Sequence, residues 1–160
     1  MSYYKKVMQP GETVLYLGSL HWIIFVPSSL TLGAGILGGI LLVHDQNDTN
    51  LDLSVVRILL IGLDAVIVFY SLVTLFGAVI RDATTEIVVT DRRVIYKRGL
   101  IWRHTIEMNM SKIETVDVAQ GILGRVLGFG TVLVRGTGAG LEPLSRIAEP
   151  LALRSAIMVG

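Results

Sequence analysis

The hydropathy of the chain falls into two regimes. From Trp22 to Val43 no charged residue occurs in 22 positions, and from Ile58 to Ile80 one occurs in 23, Asp64. A hydrocarbon core of about 30 Å needs about 20 helical residues at about 1.5 Å each, so either run is long enough to cross a bilayer. Two all-round apolar helices of this length are hard to bury inside 160 residues. The pattern therefore predicts a membrane hairpin over residues 22–80, with helices at 22–43 and 58–80.

After Arg81 the apolar positions alternate, as in half-buried strands. Residues 85–90 predict a strand, Asp91-Arg92 a turn, and 93–97 the returning strand. Residues 100–109 predict a third strand, with Leu100, Trp102, His104, Ile106 and Met108 on one face, and 113–118 a fourth. Residues 120–127 form a short helical segment whose Ile122, Leu123, Val126 and Leu127 share a face. Extended structure resumes over 131–135. After the glycine-rich turn 136–140 comes a last strand, 141–147, placed at an edge by Pro143. Pro150 suits the first position of a helix running to about Met158. Ahead of the hairpin, Pro10-Gly11 predicts a turn and 13–17 a short strand. A lone strand is unstable, so it should join the sheet on its own side of the membrane. The expected organisation is an N-terminal segment 1–21, the hairpin 22–80, and a small mainly-β domain 81–160.

Charge orients the hairpin. Lys5 and Lys6 precede the first run, and Arg81, Arg92, Arg93, Lys97 and Arg98 follow the second, whereas 44–56 holds Asp45, Asp48 and Asp52 with no Lys or Arg. The positive-inside tendency places both termini in the cytoplasm, with Arg57 one charge against the trend. The first run is too long for a signal h-region and is expected to be retained.

Polar residues within the spans mark contacts. Pro27 is expected in the second turn of the first helix, with a mild bend. Gly35 and Gly39 form a small-xxx-small pair that admits a close helix, either the chain's own second helix or one from another subunit. Asp64 falls at a matching depth, and a carboxyl group in hydrocarbon usually faces another helix. The spans carry too few other polar groups for an ion relay, so Asp64 reads as part of an intramembrane helix contact with Gly35 and Gly39.

Composition narrows the chemistry. Net charge is +1, but residues 81–160 hold eleven Lys and Arg against eight Asp and Glu. That excess suits anionic headgroups and is too small for nucleic acid. There is no cysteine, which removes disulfides and thiolate sites. Gly136, Gly138 and Gly140 do not give a dinucleotide fingerprint. His21, His44 and His104 lie far apart in sequence, with the first two expected on opposite sides of the membrane, so no shared metal site is read and His104 is taken as a partly buried strand residue. No nucleophile–base pair stands out. The expectation is a protein with no catalytic, cofactor-binding or metal-binding residues.

The stretches TEIVVTDRRVIYKRG (85–99), KIETV (112–116) and GILGRVLGFGTV (121–132), with QPGE (9–12) and His21-Trp22, resemble the bacterial pleckstrin-homology-like membrane proteins. The resemblance implies a pleckstrin-homology-like fold, two antiparallel sheets forming a barrel or sandwich closed by the C-terminal helix, and supplies no catalytic residues. In a strand rising about 3.3 Å per residue, 85–90 leads away from the bilayer and 93–97 returns. Arg81, Lys97, Arg98, Trp102 and Arg103 are then expected at headgroup level, as a lipid or partner surface. Two function classes follow. One is a non-catalytic scaffold module anchored at the cytoplasmic face of a bacterial inner membrane, binding protein partners or itself. The other is an accessory subunit of a larger membrane complex with anionic lipid contacts.

Overall fold

The computed structural model describes residues 4–44, 51–100, 102–137 and 143–159. The expected acidic connection with Asp45 and Asp48, most of the turn 136–140, and the first two residues of the expected last strand lie outside the described residues. The chain divides into two units. One joins Met1–His21 to Ile80–Gly160, and the other is Trp22–Val79.

The helical unit opens with a 3-10 turn, Trp22–Ile24, followed by α2 (Val26–His44; α1 is a single turn, Tyr4–Val7). Pro27 is thus the second residue of α2, not a second-turn residue. Its missing amide is one of the N-terminal groups that a helix leaves unpaired, and no bend is required. The second helix, α3, runs over Leu51–Thr84, longer than its apolar stretch at both ends. Least-exposed positions recur at sevens: Ser28, Gly35 and Leu42, with Leu32 and Gly39, on α2; Arg57, Asp64, Ser71 and Ala78, with Val68 and Leu75, on α3. A seven-residue repeat is that of left-handed knobs-into-holes packing. Large apolar side chains stand exposed on the other faces, as at Leu59, Phe69 and Phe76. Both helices are long and apolar enough to cross a membrane.

In the other unit β1 (Val14–Gly18), β2 (Glu86–Thr90), β3 (Arg93–Arg98) and β4 (His104–Asn109) form one antiparallel sheet in that order. A second sheet contains β5 (Ile113–Ala119), β6 (Phe129–Gly136) and β7 (Leu144–Ala148). Among the described residues no named strand of one sheet pairs with a named strand of the other, and a single bridge, Leu20↔Ile147, links the segment after β1 to β7, so the architecture is a sandwich and not the closed barrel allowed by the sequence reading. Alternation in β6 turns Gly130, Val132 and Val134 inward. Val132 and Val134 share one buried cluster with Ile87, Val89, Val94 and Tyr96 of the first sheet, and Leu153 and Ile157 of α5 (Pro150–Val159) complete the core. Pro150 is the first residue of that helix, as its fixed φ favours.

The third strand is shorter than its alternation suggests. It begins at His104, which is exposed, and Trp102 is 89% exposed instead of sharing an inward face with Met108. The cause is the β3–β4 connection. Gly99 has φ +92°, a left-handed conformation, and a Cβ there would run into the Trp102 carbonyl oxygen. The chain turns at Gly99, and alternation restarts only once pairing with β3 resumes at Arg98↔His104. The short helix α4 (Ile122–Leu127) falls where its periodicity placed it.

Candidate functional site

The strand before the hairpin and the strands after it are tied by buried charge. β1 pairs with β2 through Val14↔Thr90 to Gly18↔Ile87, across a gap of about seventy residues in sequence. At the far end Glu12, whose side chain is fully buried, accepts from Arg93 Nε (2.9 Å) and Nη2 (2.8 Å), from the Thr90 hydroxyl (2.8 Å) and from the Gln9 amide (2.8 Å). Arg93 also reaches Glu107 Oε2 (2.8 Å) and donates to the Val7 carbonyl (2.9 Å). The Arg93 hydrogen bonds, against burial that pushes the other way, hold the Glu12 carboxyl down to about 2. The same partner raises Arg93. This is a structural clamp in which Glu12, Thr90 and Arg93 are hydrogen-bonded to one another.

The sequence-derived surface separates into parts. Arg98, Trp102 and Arg103 belong to one hairpin tip, together with the exposed Leu100. Lys97 sits one step inside, opposite Glu86 in the β2–β3 register, with Nζ 3.5 Å from its Oε1. Arg81 is on the last turn of α3, where its carbonyl accepts from the Thr85 amide and hydroxyl. An exposed indole flanked by two arginines suits a polar–apolar boundary, where the ring and the charge are satisfied together.

Sequence reasoning gave α4 a shared apolar face but did not foresee which way it points. Gly124 packs inward, where a Cβ would lie 2.6 Å from the Phe129 carbonyl oxygen, and Gln120 Nε2 donates to the Gly124 (3.3 Å) and Phe129 (3.0 Å) carbonyls. Ile122, Leu123 and Val126 are left 85%, 70% and 76% exposed. A surface helix normally does the reverse. The signal in the sequence was the glycine between Leu123 and Arg125, the only residue small enough for the inner side of that turn.

In the helical unit the structure brings Gly35, Gly39 and Asp64 together. A Cβ at Gly39 would lie 2.7 Å from Asp64 Oδ2, at Gly38 3.3 Å from Oδ1, and at Gly35 2.8 Å from Val68 Cγ2. Two further contacts were missed. Arg57 Nε and Nη2 donate to the Leu42 (2.7 Å) and Val43 (3.0 Å) carbonyls, which the end of α2 leaves without helical partners, and the cation suits the negative end of the dipole. The fully buried Ser71 lies 3.1 Å from Thr31 Oγ1. Arg57, Asp64 and Ser71 are spaced by seven, a polar heptad in an apolar run that was readable in the sequence. His21 packs against Phe129 with ring centroids 5.3 Å apart, and His44 ends α2.

The profile of the family described as Bacterial PH domain matches residues 28–158. The chain is also 27% identical over 85 residues to the UPF0699 transmembrane protein YdbT of Bacillus subtilis (strain 168), an alignment covering 50% of this chain and 17% of that relative. The chain thus spans about one sixth of the length of the curated relative it matches. No solved structure matches it.

Proposed function

This chain belongs to the bacterial PH domain family, and from that membership we propose a non-catalytic scaffold that holds one PH-like module at the cytoplasmic face of a bacterial inner membrane and binds protein partners or itself. The observation that carries the reading is the β1–β2 pairing. The apolar helices are inserted between two strands that hydrogen-bond to each other, so both ends of the insertion open on the side where the domain folds. A two-span hairpin satisfies that condition. Basic flanks on that side and an acidic connection on the other agree with it. The β3–β4 tip with Arg98, Trp102 and Arg103, supported by Lys97 and Arg81, is the proposed lipid or partner surface. Gly35, Gly39 and Asp64 form the proposed intramembrane contact.

The test has two parts, and the cysteine-free sequence makes the first clean. In intact cells, Asn47→Cys should react with a membrane-impermeant maleimide only from outside, and Ser145→Cys only after lysis. Labelling of both from one side would overturn the hairpin. In the second part, native mass spectrometry after gentle extraction should give a mass above 17.4 kDa. Copies of this chain alone indicate self-assembly, and other membrane proteins in defined stoichiometry indicate the accessory-subunit reading. A lone chain, even after cross-linking in the membrane, would overturn both.

A further inference from the structure

Two groups of apolar side chains stand exposed on the domain, Leu100 with Trp102 at the β3–β4 tip and Ile122, Leu123 and Val126 on α4. Strand register puts them at one end of it. β1 ends at Gly18 opposite Ile87, which pairs with Tyr96; one step further Glu86 pairs with Lys97, and the tip lies just beyond Arg98↔His104. The chain leaving β1 is bridged through Leu20↔Ile147, and the His21 amide donates to the Arg146 carbonyl (2.8 Å). The His21 ring then meets Phe129, the residue that opens β6 directly after α4. The end of the domain where the chain departs at His21 and returns at Thr85 therefore carries both Trp102 with Leu100, and α4.

We infer that α4 is a membrane-docking element: Ile122, Leu123 and Val126 enter the headgroup–acyl boundary of a phospholipid bilayer while Arg125 takes a lipid phosphate. Three observations commit the surface to lipid. The apolar face of α4 is presented by a turn that two Gln120 hydrogen bonds and the close packing of Gly124 on the Phe129 carbonyl hold in place, so it faces outward and not onto the core. It shares its end of the domain with an exposed tryptophan flanked by arginines, the pairing that suits a membrane interface. Arg125 and Arg154 both line an open cleft of about 700 Å³ beside α4, and the acid lining it, Asp117, lies 3.7 Å from Arg135. Cations next to an apolar wedge match an anionic headgroup above its acyl chains. The inference rests on the membrane-anchored reading above, since it needs this end of the domain to meet a bilayer.

The experiment uses the full chain reconstituted in vesicles of phosphatidylcholine, with and without phosphatidylglycerol. A nitroxide is placed singly at Val126→Cys, at Glu114→Cys near the other end of β5, and at Val66→Cys on α3. Collision with oxygen is compared with collision with a water-soluble nickel chelate. The Val126 label should favour oxygen, as the Val66 label does, while Glu114 favours nickel. Adding Arg125→Glu should lower the docked-to-free ratio about tenfold in phosphatidylglycerol vesicles and much less in phosphatidylcholine alone. A water-exposed label at 126 with a lipid-exposed label at 66 overturns the docking and leaves the hairpin standing. A label at 126 shielded from both reagents means a protein covers α4, which also overturns it. Water exposure at 66 overturns the anchored reading itself.

Discussion

In the helical unit the polar side chains are sparse and evenly spread. Arg57, Asp64 and Ser71 stand seven residues apart on α3, meeting the last carbonyls of α2, its glycines and one hydroxyl in turn. In the β unit they are gathered, with Glu12, Thr90, Arg93 and Glu107 in one network that joins segments from either side of the hairpin. The difference follows from what surrounds each unit. A helix carries its own backbone hydrogen bonds, so side-chain polarity in an apolar setting can be limited to points of contact. A strand obtains its partners from other strands, and β1 has to find β2 across the whole insertion, at the entropic cost of closing a long loop. A buried ion pair with fixed bidentate geometry adds to that long-range pairing a direction that apolar burial, being non-directional, does not supply.

If so, the largest effect should come from the clamp. Arg93→Ala leaves the Glu12 carboxylate buried without its cation and should cost about 3–5 kcal/mol, read as a lower denaturation midpoint of the full chain in detergent. Arg93→Lys, which keeps the charge but loses the fork, should cost less. An unchanged midpoint for Arg93→Ala would remove the clamp from the account.

The clamp also sets an acid limit. Because the folded Glu12 carboxyl is held down to about 2 from an ordinary 4.5, its contribution is complete above about 4.5 and disappears as pH falls towards 2. Unfolding followed between those limits should show a slope in the native chain that Glu12→Gln flattens. A slope that survives the substitution would assign it to other carboxylates.

The helix seam should come next. Gly39→Leu drives a side chain into the Asp64 carboxyl and Gly35→Leu meets Val68, so each should cost about 1–3 kcal/mol by overpacking, whereas Gly33→Leu, with nothing within 4 Å, should be silent. Comparing native mass across the three tells a contact within the chain from one between subunits. A fall in mass with Gly35→Leu and an intact hairpin would place the glycine surface between copies.

Much of this was legible because it rests on local period. The two apolar runs, the return strand expected at 93–97, the α4 turn and the helix opening at Pro150 are written in residues a few positions apart. What escaped depends on residues brought together from a distance. Glu12 looks like part of a polar turn until Arg93 is found beside it, and Arg57 looks like a stray charge until the end of α2 lies under it. Trp102 continues a period-two pattern and was assigned a face by it, yet Gly99 takes the chain off the sheet just before. The apolar pattern of α4 was read without its direction, which Gly124 sets by packing against the Phe129 carbonyl.

The smallest effect should be at Ser71, and its size tests the comparison most directly. The Ser71 hydroxyl has one proton and two acceptors in reach, the Ile67 carbonyl at 2.8 Å on its own helix and Thr31 Oγ1 at 3.1 Å on the other. Thr31 in turn lies within reach of the Pro27 and Ser28 carbonyls, at 3.1 and 3.0 Å. Separating the helices lets both hydroxyls bond back into their own helices, so little is lost. A double-mutant cycle of Ser71→Ala and Thr31→Ala should therefore give a coupling of about 0.6 kcal/mol or less. Glu12 has no such retreat, since the chain around it supplies one amide, from Gln9, in place of a bidentate cation. A Ser71–Thr31 coupling as large as the Glu12–Arg93 one would mean that interhelical polar contacts, not close glycine packing, hold the hairpin together.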